Sequence, residues 1–243
     1  MPIVLLRNCL LAFLVALAAP AFSQDIAREL FPPTSAKGAP VVVISGVSGT
    51  SRYREHAAKL ADLGYFVVLI DGKDVLFRTG DAMDPAGQGN LRKVLTQTLA
   101  DPRSSLSKVA LVGFSLGGGG VLQWGTALSD QVSAAVVFYP SVSLRGQDTK
   151  QFARRMKVPV LVFAAGRDKY DNCCLLETMR ALQAEAREVS APLELVVYEN
   201  ADHGFNLRGW GFREADATDS WAKLVAFLAR HQAKSGLTRN DGH

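Results

Sequence analysis

An apolar run, Val109-Ala110-Leu111-Val112, leads into Gly113-Phe114-Ser115-Leu116-Gly117 and three further glycines. A phosphate-binding loop would end in Lys followed by Ser or Thr, but Gly120 is followed by Val121-Leu122-Gln123. A dinucleotide fingerprint would need glycine at position 115. What remains is G-x-S-x-G, a strand-to-helix turn so sharp that its serine stands exposed as a nucleophile. Such a serine needs a base, and the base needs an acid to orient it, in the chain order Ser, Asp, His. Asp168 follows the apolar run 158–166, 53 residues after Ser115, and His203 follows the run 193–200, another 35 residues on. Of the other histidines, His56 falls on an early helix and His231 and His243 on the C-terminal tail. His203 is therefore the expected base. Asp168 is preferred as acid to Asp171, which reads as part of the next helix's N-cap region, and to Asp202, whose adjacency to His203 turns its side chain elsewhere.

Acyl transfer also needs donors for the developing oxyanion. The residue after the nucleophile, Leu116, supplies one backbone N–H, and the loop after the first strand, residues 45–52, supplies the other. Val47 is the expected second donor, with Ser48 as the alternative. Ser48 lacks an elbow of its own, so its hydroxyl is read as satisfying the loop or capping the helix near Ser51.

These residues require strands that end at one edge of a sheet. Six short apolar runs at 39–45, 64–71, 108–114, 132–140, 158–166 and 193–200 are near-continuous in Val, Ile, Leu and Phe. That pattern predicts parallel strands buried on both faces. Helical patterns at 52–62, 88–100, 117–128, 173–189 and 213–230 alternate with them, giving an α/β fold with a mostly parallel sheet. Residues 24–37 read as an irregular lead-in and 231–243 as a frayed tail.

Arg7, an apolar block from Cys9 to Ala19, and small residues at Ala21 and Ser23 make residues 1–23 a secretory signal peptide. Cleavage is expected before Gln24, with Phe22 as the second choice, and the product is expected to be periplasmic or secreted. The block is too short to span a bilayer, so no stable membrane association is expected after cleavage. Cys9 lies within the block rather than at its end, which argues against a lipoprotein. Residues 24–243 then form one domain. Losing residues 1–23 removes one Arg and no acid, leaving 26 basic against 23 acidic residues without a basic patch, so no nucleic-acid partner is expected. The two remaining cysteines, Cys173 and Cys174, are adjacent. They are read as buried packing residues in preference to a vicinal disulfide or a reactive pair. No second Cys or His pair stands at ligand spacing, so no metal is expected.

In "GVSGTSRYREHAAKLADLGYFVVLID", "GFSLGGGG", "AAGRDKYDNC" and "ADHGFN", residues 38–230 resemble the dienelactone hydrolase family of α/β-hydrolases. The resemblance implies an α/β-hydrolase fold without a large lid, cleavage of small esters or lactones, and no cofactor. It carries Ser115, Asp168 and His203 over as the triad, and Val47 and Leu116 as oxyanion donors. Two positions depart from the family: its type enzymes hold cysteine where Ser115 stands, and a glutamate at the position of Gly46. A serine esterase is therefore expected, with an acyltransferase or peptidase, or a non-catalytic binding protein of the same fold, as alternatives. Arg78, Arg208, Phe77, Met83, Trp124 and Tyr170 are candidate lining residues.

Overall fold

Valine and isoleucine, branched at Cβ, suit the pleated strand and pack on both its faces. In a computed structural model, which describes residues 25–144, 147–209 and 211–232, these runs become the strands of one sheet. The expected signal peptide and the tail beyond Gln232 lie outside the described residues.

In chain order the elements are β1 (Glu29–Phe31), β2 (Pro40–Ile44), α1 (Arg54–Asp62), β3 (Phe66–Ile70), a hairpin of β4 (Arg78–Thr79) and β5 (Ala82–Met83), and α2 (Ala86–Ala100). Then come β6 (Val109–Phe114), α3 (Leu116–Gln123), β7 (Val132–Phe138), α4 (Thr149–Arg155), β8 (Val160–Ala165), α5 (Leu176–Glu188), β9 (Leu193–Tyr198) and α6 (Glu214–Gln232). Seven strands form the sheet in the order β1-β3-β2-β6-β7-β8-β9. All neighbours pair in parallel except β1, which runs antiparallel to β3 with Leu30 opposite Val68.

Two cores lie against the sheet. Val42 and Ile44 of β2 face α2, α3, α4 and α5, while Val41 and Val43 face α1 and α6. Each fully buried aliphatic side chain contributes on the order of 2 kcal/mol, so the two-sided burial of β2, β3 and β6 fixes the sheet's centre. The chain steps from β2 outward to β3 and then returns past β2 to β6. That reversal opens a crevice beyond the carboxyl ends of β2 and β6, the place where open α/β sheets take their ligands. No helix among the described residues is long and apolar enough to cross a membrane.

The structure departs from the sequence reading at several elements. The lead-in holds β1, three residues long and without alternation that could reveal it. Helix α4 was not anticipated; Asp148 caps it by accepting the Lys150 N–H. Helix α5 begins at Leu176 rather than 173, with Leu175 and not Asp171 at its N-cap. Helix α6 continues through His231 to Gln232, so the frayed tail does not begin at 231.

Candidate active site

The last residue of β6 is Phe114, and α3 begins at Leu116, so Ser115 alone makes the turn between them. Its φ of 50° and ψ of −114° lie where L-residues rarely go. Backbone strain of this kind persists only where the surroundings hold it. Here the holding is steric and hydrogen-bonded. A Cβ on Gly117 would lie 2.4 Å from the carbonyl oxygens of both Ile44 and Ser45, and one on Gly113 would lie 2.8 Å from the Gly117 carbonyl oxygen. Without side chains at these two places, the Gly117 N–H donates to the Ser45 carbonyl at 3.0 Å and the Ser115 N–H to the Phe138 carbonyl at 3.0 Å. The elbow is thereby tied to β2 on one side and β7 on the other.

The structure brings the three expected residues into one chain of hydrogen bonds. His203 Nε2 lies 3.0 Å from Ser115 Oγ, and His203 Nδ1 lies 2.7 Å from Asp168 Oδ2. Asp168 is 4% exposed, and its other oxygen accepts the Tyr170 N–H at 3.1 Å. Asp171 instead sits exposed in a short 3-10 turn with φ of 45°, and Asp202 points into solvent. Leu116 opens α3, where the first amides have no acceptor within their own helix. Val47 lies in the turn after β2 that the Gly49 N–H closes onto the Gly46 carbonyl at 3.3 Å. Val47 and Ser48 both line the cleft around Ser115 and His203. The Ser48 side chain caps no helix: the 3-10 turn that follows has Gly49 at its N-cap and no side-chain cap.

The cleft is small, about 380 Å³ and open to solvent. Tyr170 lines it and stacks on the His203 ring at 4.7 Å, as a lining role requires. Phe77, Met83, Trp124, Arg78 and Arg208 do not line it. Met83 and Trp124 belong to the core, and Arg78 bonds Gly80 and Asp81 within the β4–β5 hairpin. Arg208 lines a separate cavity of about 810 Å³ beside α1 and α6.

Sequence reasoning missed Arg52, Tyr53, Tyr139 and Leu207, which also line the cleft. Tyr139 follows β7 with φ of 36°, sets its ring edge against His203 at 4.7 Å, and donates its hydroxyl hydrogen bond to Asn206 Oδ1 at 2.7 Å. Burial pushes its phenol well above the ordinary range, so it stays a neutral donor. The signal available was position: a residue just past the carboxyl end of a central strand faces the crevice.

Cys173 and Cys174 were expected to be buried packing residues in preference to a vicinal disulfide. The structure corrects this: they are joined in a disulfide, and they are buried as well, at 7% and 1% exposure. The Cys173 carbonyl accepts the N–H groups of Val142 and Ser143, anchoring the pair to the loop after β7. The fold also brings both sulfurs to His203, with one ligand atom from each of the three residues lying within 4.8 Å of the others. Local spacing had suggested no such group, because its third member comes from 29 residues further along the chain.

Comparison with known proteins gives the same picture at the level of the chain. A Salmonella typhi protein provisionally named a carboxymethylenebutenolidase is 29% identical over 241 residues, covering 89% of this chain and 87% of that one. A Klebsiella pneumoniae structure provisionally named a dienelactone hydrolase superposes with a TM-score of 0.69 at 20% identity, over 84% of this chain and 99% of that one. Thermogutta terrifontis esterase 2 superposes with a TM-score of 0.61 at 18% identity, over 88% and 90% of the two chains. The sheet order and the crevice at the reversal are those of the α/β-hydrolase fold. The sequence model of the dienelactone hydrolase family matches residues 26–232, everything from β1 to the end of α6, and the chain belongs to that family of hydrolases.

Proposed function

We propose that this hydrolase is an exported serine esterase acting on small carboxylic esters or lactones. The observation that carries the reading is the hydrogen-bonded line from Ser115 through His203 to Asp168, mounted on a strained elbow. Ser115 Oγ attacks the acyl carbonyl carbon while His203 Nε2 takes its proton, and Asp168 holds the Nδ1–H and stabilises the imidazolium. The oxyanion forms against the N–H groups of Leu116 and Val47. Collapse of the tetrahedral species expels the alcohol, which takes the proton back from His203. Water then attacks the acyl-enzyme by the same route in reverse. A lactone follows the same steps, its alcohol remaining tethered to the acyl group.

The small volume of the cleft, about 380 Å³, favours small substrates. Export is inferred from the charged start, short apolar block and small residues of 1–23; fractionation of expressing cells, with and without those residues, tests it by where the protein is found. For the chemistry, Ser115→Ala should fold normally and lose ester hydrolysis by a factor on the order of 10⁴ or more. A fluorophosphonate probe should label the wild-type protein and not the variant. Labelling that survives the substitution would place the nucleophile elsewhere.

A further inference from the structure

We propose that Cys173, Cys174 and His203 form a redox-gated binding site for a thiophilic divalent cation of the zinc class, closed while the disulfide is intact and opened by its reduction. Two sulfurs and one imidazole nitrogen lie within 4.8 Å of one another. A tetrahedral zinc with Zn–S of about 2.3 Å and Zn–N of about 2.0 Å sets its ligands roughly 3.5 Å apart. Once the bond between them is reduced, the two sulfurs spread to that separation, and the imidazole nitrogen, already within 4.8 Å, closes by about an ångström to share one ion, with a fourth position left for water. The donor set is right for a soft cation, since thiolate and imidazole select zinc-like metals over magnesium or calcium. Charge also balances: a dication, two thiolates and a neutral imidazole sum to zero, which suits a place where both cysteines are almost wholly buried.

The gate is the disulfide. While closed, its sulfurs carry no thiolate to offer a metal. Neighbouring residues can bridge only through a small ring, and a constrained bridge of that kind is the more readily reduced. A phosphine supplies the electron pair: disulfide, phosphine and water give two thiols and the phosphine oxide. Zinc then displaces one proton from each thiol and takes a lone pair of His203. Coordination through Nε2 uses the lone pair that would accept the Ser115 proton. Coordination through Nδ1 breaks the bond to Asp168 and leaves Nε2 protonated. Either way His203 ceases to be a base, so metal binding switches the enzyme off. That last step rests on the esterase reading above; the binding itself does not.

The test reads binding and activity separately. Oxidised and phosphine-reduced protein are titrated with Co²⁺, whose thiolate charge-transfer absorption reports sulfur ligation, and then with Zn²⁺ while ester hydrolysis is followed. The reduced wild type should show the band and bind one ion per chain, and the oxidised protein should show neither. Ser115→Ala, inactive as an esterase, should bind just as well once reduced. His203→Ala should bind more weakly by about tenfold or more, since losing a direct ligand costs at least what losing an outer-shell partner does. Zn²⁺ should abolish hydrolysis by the reduced wild type, reversibly with a chelator, and leave the Cys173→Ser/Cys174→Ser double variant active. No charge-transfer band in either reduced Ser115 form would overturn the proposal, as would equal Zn²⁺ inhibition of the double variant or unchanged affinity in His203→Ala. If no preparation hydrolyses esters, the esterase reading fails, and the cobalt absorption still decides the metal site.

Discussion

At Asp168 the two oxygens of one carboxylate have separate partners: Oδ1 takes the Tyr170 amide and Oδ2 takes His203 Nδ1. The first bond fixes the side chain, and the second then holds the imidazole with its lone pair toward Ser115. Asp168→Asn should keep the fold and lower kcat by about four orders of magnitude, because the amide misorients the ring and removes its counter-charge. Asp171→Asn should leave the rate unchanged, since Asp171 is exposed, caps no helix, and holds a left-handed conformation that asparagine also tolerates. Steady-state kinetics on the two variants distinguish them, and a swapped result would make Asp171 the acid. The hydrogen-bonded trio of Ser115, His203 and Asp168 was legible in the sequence because each follows a strand in the order expected of such a trio and few histidines compete. Tyr139 and Tyr53 were not legible. Their places depend on a positive φ after β7 and on a loop folded back over Gly46, which side-chain type does not encode. The cysteine bridge was hidden for a similar reason: adjacency names the pair, but only the backbone around it decides whether the sulfurs meet.

Helix α3 begins with four consecutive glycines after Leu116, a poor helix sequence by propensity. Its formation is decided by contact with β2 and the loops above it, where side chains would collide. Gly117→Ala should therefore force β2 and α3 apart, costing about 2 kcal/mol and lowering Tm by roughly 5 °C, with loss of hydrolysis. Gly89, exposed in α2, is the control. A Cβ there meets nothing within 4 Å, so Gly89→Ala should raise stability by about 0.8 kcal/mol, or roughly 2 °C, with activity unchanged. Equal melting shifts for the two would show that packing against β2 does not select glycine. The same contrast explains which elements could be read from sequence. Five of the parallel strands announced themselves because burial on both faces demands unbroken apolar runs. β9, at the sheet's edge with Glu194 exposed, is only partly buried, against the expectation of two-sided burial, and its run of Leu and Val still marked it. β1 escaped because it is a short edge strand, half exposed, and α4 escaped because seven residues give too few turns for a period to show.

Across the whole molecule, the two faces of the sheet are unequal. Among the described residues four helices cover one, while α1 and α6 cover the other. A cavity of about 810 Å³ lies beside this pair, and His56 of α1 borders it with Trp221 of α6. The ring packs edge-on against Phe114 of β6 at 5.2 Å, and its Nδ1 is sealed from solvent without a hydrogen-bond partner. Burial, with the Lys59 charge adding to it, lowers the His56 pKa from 6.5 to about 4. The folded state thus keeps this imidazole neutral where the unfolded chain would protonate it. Between about pH 6.5 and 4 the unfolded state binds the extra proton, so stability present above that window drains away as pH falls through it. The full loss amounts to roughly 3 kcal/mol at most. His56→Phe conserves the ring's contacts with Phe114 and Trp221 and cannot take up a proton. Urea denaturation of both proteins across that range should give curves that run together near neutrality and diverge in acid, the variant retaining more stability. Parallel curves would mean that protonation of His56 is not what weakens the helix pair on this face.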